Sequence, residues 1–126
     1  MMSQIDVGYH KKFLKEKDKF VKICPSIEGD FEVFLDILKT DIIYNNYNVP
    51  TNNKKYYKIA GLDKKVFMPA FVAKAFYCEK MNKGRKSGFR ITFIYDPSIN
   101  FLYFVEFYYK GKKEIEDKER INKLFH

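Results

Sequence analysis

The sequence predicts an α+β fold: two N-terminal helices packed on a small, mainly antiparallel twisted sheet, closed by a short C-terminal helix. Three observations predict it. Apolar residues recur at helical spacing up to residue 42. Aromatic and β-branched residues crowd three runs between residues 66 and 110. Turn-forming residues separate those runs. At 126 residues the chain is a single domain, 1–126, with enough apolar residues for a core that needs neither metal nor disulfide.

Ile5, Val7 and Tyr9 alternate with Asp6 and Gly8, the pattern of a short strand. A helix is predicted from His10 to Ile23. Tyr9, Phe13, Phe20 and Cys24 follow one side, and Lys15-Glu16-Lys17-Asp18-Lys19 form a solvated face. Pro25 stops it, and Ser26 is the expected cap of a second helix reaching about Ile42. Phe31, Phe34, Leu35, Leu38 and Ile42 make the apolar stripe of that helix. The pair is a helical hairpin that covers one face of the sheet.

Residues 44–65 read as a long polar connection, carrying an extra turn or a small hairpin. Three strands follow: Val66–Tyr77, Phe89–Tyr95 and Phe101–Lys110. The turn Asp96–Asn100 is short, so the last two form an antiparallel hairpin. Period-two alternation places Leu102, Phe104, Glu106 and Tyr108 on one face of the last strand, and Phe101, Tyr103, Val105, Phe107 and Tyr109 on the other. Glu106 is a carboxylate in an apolar strand, so it must meet a cation or line a groove, with Arg90 one possible partner. Glu114–Phe125 is the expected terminal helix, with acidic residues at its start and Lys123 near its end.

The net charge is +8, from 24 Lys and Arg against 16 Asp and Glu. Such a balance suits nucleic acid, an acidic protein or anionic lipid, although an A/T-rich coding sequence also inflates Lys. Cys24 and Cys78 have neither metal-site spacing nor a disulfide framework and read as reduced thiols. No apolar run approaches the roughly 20 residues of a membrane span, and the first residues are polar, so the expected location is the cytoplasm with no membrane partner.

The stretch Lys83-Gly84-Arg85-Lys86-Ser87-Gly88-Phe89-Arg90-Ile91, then Phe104–Lys113 and Asp117-Lys118-Glu119-Arg120-Ile121, resembles the RelE/ParE superfamily of type II toxin–antitoxin toxins. The nearest branches are the HigB-like and phage-derived ones. Motif likeness covers roughly residues 70–122, and the predicted element order extends it over most of the chain. The resemblance implies a RelE-like fold and a ribonuclease that cleaves mRNA, usually on the ribosome, without metal or cofactor. It also implies a small cognate antitoxin that covers the basic groove. ParE relatives on the same fold inhibit DNA gyrase instead, so a non-catalytic binder, gyrase-directed or a phage-derived nucleic-acid-binding accessory, stays open.

Carried onto this chain, the sheet arginine of the family is Arg90. The basic residues of the preceding loop are Lys83, Arg85 and Lys86, and those after the last strand are Lys110, Lys112 and Lys113. Cleavage through the 2′-hydroxyl, giving a 2′,3′-cyclic phosphate and a 5′-hydroxyl, needs a base, a phosphate clamp and an acid. Arg90 suits the clamp because its planar donors match phosphate. Glu106 and Tyr109 compete for the base, and Lys112 supplies charge to the catalytic set. His126 is a further candidate near the chain end, and Tyr108 and Tyr109 are candidates for stacking on bases.

Overall fold

The structure is a computed structural model that describes residues 4–81, 87–113 and 115–125. Its sheet is built around β5 (Phe101–Tyr109), whose neighbours are β1 (Asp6–Tyr9), in parallel, and β4 (Phe89–Asp96), antiparallel. β3 (Ala70–Ala73) pairs with β4, and β2 (Tyr56–Lys58) is the far edge, giving the order β1-β5-β4-β3-β2. The architecture is α+β: three α-helices among the described residues and a five-stranded mixed sheet.

The helices α1 (Lys11–Ile23) and α2 (Ser26–Tyr44) cover one face. His10 caps α1, its Nδ1 accepting the Lys12 N–H at 3.0 Å. Ser26 does not cap α2 as expected. Pro25 already holds helical dihedrals and its carbonyl accepts the Glu28 N–H, so Ser26 lies inside the first turn, where its hydroxyl donates to Asp30 Oδ2 at 3.0 Å. The predicted stripe Phe31, Phe34, Leu35, Leu38 and Ile42 is buried throughout. It meets Phe13 of α1 and the sheet residues Phe93, Phe104 and Phe107 in one aromatic layer. Phe104 lies 5.4 Å from the ring of Phe13 and edge-on to Phe31 at 5.2 Å. Each fully buried aromatic contributes roughly 1.5–3 kcal/mol.

Three strand and helix limits differ from expectation. The connection 44–65 contains β2, whose Tyr56 is buried and whose phenol donates to Asp41 Oδ2 at 2.6 Å. The first long run yields only Ala70–Ala73: Pro69, with no N–H, precedes it, and the pairing with β4 ends where Ala73 meets Ile91. The terminal helix is α3 (Lys118–Asn122), shorter than expected, because Asp117 caps it through the Arg120 N–H at 3.0 Å and Lys123–Phe125 tightens into a 3-10 turn. Among the described residues, no helix is long and apolar enough to cross a membrane.

The simple alternation expected of β5 fails at one place. Thr92 pairs with Glu106 but Phe93 pairs with Phe104, so Val105 is an extra residue opposite no partner. This bulge reverses the parity of the strand. Leu102 and Phe104 face the helices before it, and Phe107 and Tyr109 face them after it. Glu106 and Tyr108 therefore stay on the opposite face, beside Arg90 and Thr92 of β4.

The bulge lies where β1 ends and β5 becomes an edge. Two charged side chains close that edge. Phe107 N–H donates to Glu16 Oε1 of α1 at 3.1 Å, and Arg120 of α3 donates to the Val105 carbonyl at 2.8 Å. Glu16 and Arg120 join through two contacts of 2.9 and 2.8 Å. The exposed backbone is thus satisfied without another strand.

Candidate functional site

The face away from α1 and α2 has two halves. In one, Ile59, Ala70, Val72, Ile94 and Val105 pack against Ile121 of α3. In the other, at the open end of the β4–β5 pair, lie Arg90, Thr92, Glu106 and Tyr108, all buried. Cross-strand register sets Arg90 opposite Tyr108 and Thr92 opposite Glu106.

Glu106 is 1% exposed, and burial of a carboxylate demands partners. Its partner is Lys113 rather than Arg90: Lys113 Nζ sits 2.5 Å from Oε2, and the Asp117 N–H donates to Oε1 at 2.7 Å. The carboxylate thereby anchors the start of α3. Lys113 also lies 5.8 Å from the Tyr108 ring centre. The Arg90 guanidinium donates through Nη1 to the Phe89 carbonyl at 3.1 Å and the Lys74 carbonyl at 3.5 Å. The residue is 8% exposed.

Tyr108 joins the cluster from between. Burial raises its pKa above the ordinary phenol value, and the carboxylates of Glu116 and Glu106 raise it further. The Arg90 charge works in the other direction, and a hydrogen bond to Glu116 adds to the rise. The phenol therefore keeps its proton at neutral pH and is a donor. The Thr92 hydroxyl on the same face is buried with no hydrogen-bond partner.

Tyr109 lies on the other side of the sheet from these groups. Its ring packs on Phe89 at 5.2 Å and is clasped by two glycines. A Cβ on Gly88 or Gly111 would come within 2.8 or 2.5 Å of a Tyr109 ring carbon, and Gly88 has φ +87°. The Tyr109 carbonyl accepts the N–H groups of Lys112 and Lys113 at 2.9 and 3.0 Å, and the Lys110 N–H goes to the Gly88 carbonyl. Tyr109 thus shapes the turn that projects Lys110, Lys112 and Lys113 beside the polar half of the sheet.

The structure places Arg90 and Glu106 on one sheet face and pairs Glu106 with Lys113, and Lys110 and Lys112 are exposed on the adjoining turn. Lys83, Arg85, Lys86 and His126 lie outside the described residues. Sequence reasoning left out Glu116 and the Glu16–Arg120 pair. The acidic run Glu114–Asp117 is legible as a helix start, but the fold uses Glu116 to hold a phenol and Glu106 to hold the N-terminal side of the cap. Among the described residues, no group of three or more His, Cys, Asp or Glu side chains is placed to hold a metal ion.

The arrangement can bind an anion through Arg90, Lys113 and the turn lysines, and can donate a proton from Tyr108. A scan against protein-family models gives no match to this chain, and searches of curated proteins and of solved structures give no significant match.

Proposed function

We propose that this chain is the toxin of a type II toxin–antitoxin system, with a RelE-like fold and a metal-independent endoribonuclease activity on mRNA. The observation that carries this reading is the meeting of Arg90, Tyr108, Glu106 and Lys113 on one sheet face, next to the lysine turn. The element order, two helices after the first strand and a short helix after the last, is consistent with the fold that the sequence resemblance implies.

In this reading a phosphate of the RNA takes up donors from Arg90 and Lys113, and Lys110 and Lys112 hold the flanking backbone. Glu116, which holds the Tyr108 phenol, gives way to the phosphate. Tyr108, kept protonated by its surroundings, supplies the proton to the departing 5′-oxygen. Lys113 moves from Glu106 to the phosphate, which releases the carboxylate to take the 2′-hydroxyl proton. A small antitoxin neutralises the toxin by covering this face.

The test is induction of the chain in growing cells against Arg90→Ala and Arg90→Lys. Expected is growth arrest with new 5′-hydroxyl ends in ribosome-bound transcripts, lost in Arg90→Ala. Arg90→Lys, which keeps charge but not the planar fork, should recover only part of it. Harmless overproduction, or equal arrest by all three chains, refutes the reading.

A second reading is a non-catalytic binder on the same fold. One observation favours it: Glu106 is held by Lys113 and the Asp117 N–H, and Tyr109 lies across the sheet, so neither candidate base stands bare before the cluster. Growth arrest with DNA-damage signalling and no new RNA ends selects it.

A further inference from the structure

We propose that Cys24 and Cys78 are a reversible disulfide site, closed by a low-molecular-weight disulfide such as oxidised glutathione. The two residues are 54 positions apart in sequence, yet their Sγ atoms lie 4.0 Å from each other. A disulfide bond is about 2.05 Å long, so closure needs roughly 2 Å of sulfur movement, within reach of side-chain rotation.

The surroundings fix both residues. Cys24 ends α1, its N–H donating to the Phe20 carbonyl at 2.8 Å. Asp30 Oδ2 accepts the Ser26 hydroxyl at 3.0 Å and the N–H of Glu79, the neighbour of Cys78, at 3.1 Å. Ser26 Oγ in turn lies 3.4 Å from Cys24 Sγ. One carboxylate therefore ties the turn that bears Cys24 to the segment that bears Cys78.

Their exposure gives them different parts. Cys24 is partly exposed and Cys78 is buried. Cys24, as thiolate, attacks one sulfur of the oxidant; a mixed disulfide forms and one oxidant thiolate leaves with the proton. Cys78 then gives up its proton, and its thiolate attacks Cys24 Sγ. The internal bond forms and the second oxidant thiolate leaves. Two protein thiols are oxidised to one disulfide, and the oxidant is reduced to two thiols. The new bond closes a loop that contains α2, β2 and β3, and ties the α1–α2 turn to the segment after β3.

The test uses the full folded chain, incubated with excess oxidised glutathione and compared with the same chain in dithiothreitol. Expected is a monomer with both thiols protected from alkylation, and a non-reducing peptide map joining the Cys24 and Cys78 segments. Closing so long a loop should raise Tm by roughly 10 °C, reversed by reductant. In Cys78→Ala, Cys24 should keep one glutathione; in Cys24→Ala, Cys78 should stay a thiol while the chain is folded. Chains joined to each other, glutathione retained on both cysteines of the unaltered chain, or a bond that lowers Tm overturns the proposal. The peptide map of the unaltered chain decides it even if a variant fails to fold.

Discussion

The two faces of this sheet are held by different physics. On the helix side, Phe13, Phe31, Phe93, Phe104 and Phe107 interlock in a dry layer whose stability is apolar area and ring geometry. On the other side, beyond the patch under α3, Arg90, Glu106 and Tyr108 are also buried but are held by carbonyls, a lysine and a carboxylate. A fold gains little from that exchange, because desolvating charges consumes most of what their pairing returns. The polar half therefore contributes less to stability than the aromatic layer does. The Val105 bulge keeps the two sets apart: without it, Glu106 and Tyr108 would share the face of Phe104.

The largest effect is expected from Phe104→Ala. Phe104 is fully buried and meets rings from α1, α2, β1 and β4. Chemical unfolding should show a loss of about 3–5 kcal/mol. Next is Glu106. Glu106→Ala strips the Asp117 N–H of its acceptor, but Lys113, 42% exposed at its side chain, can return to water. The loss should be about 2 kcal/mol, and Glu106→Gln, which keeps the acceptor, should lose about half as much. If Glu106→Ala costs as much as Phe104→Ala, the polar half is core after all and the contrast between the faces fails.

A smaller effect tests how the faces are joined. Glu16 and Arg120 cross the β5 edge, with 27% and 10% of their side chains exposed. A double-mutant cycle with Glu16→Ala and Arg120→Ala should give a coupling of about 1–2 kcal/mol, above an ordinary surface pair because the geometry is bidentate. A coupling near zero would mean that each side chain serves the edge backbone separately, Glu16 at Phe107 and Arg120 at Val105.

The helical hairpin was legible because its stripe repeats at a single period and needs nothing else to be buried. Strands β4 and β5 were legible in extent from composition. The faces of β5 were not, because a bulge is set by pairing with β4 and leaves no local mark at Val105 or Glu106. β2 was hidden because three residues, Tyr56-Tyr57-Lys58, carry too little pattern to stand out from the polar connection around them. In the site, Arg90 and Lys113 could be named as cations, but the pairing of Lys113 with Glu106 depends on how the turn folds back over Tyr109. The approach of Cys24 to Cys78 was also invisible, since their separation in sequence says nothing of contact.

The smallest effect concerns pH and joins the two faces at His10. This residue caps α1 through Nδ1 while its backbone N–H donates to the Phe104 carbonyl. Burial lowers its pKa below the ordinary value, and the charges of Arg120 and Lys12 lower it further. The unfolded chain therefore takes up the proton first as pH falls below about 6.5. The stabilisation is complete above that pH and is lost as pH drops through the folded-state value, because the unfolded state then binds more protons. His10→Asn keeps a cap acceptor and removes the titration. Unfolding free energies at pH 7.5 and at pH 5, values chosen to lie about one unit or more either side of the ordinary imidazole pKa, should differ less in His10→Asn than in the unaltered chain. Because Arg120 is among the charges that oppose protonation, Arg120→Ala should reduce the same difference. If it does not, the charges of the polar face stop at the β5 edge and do not reach the helix layer.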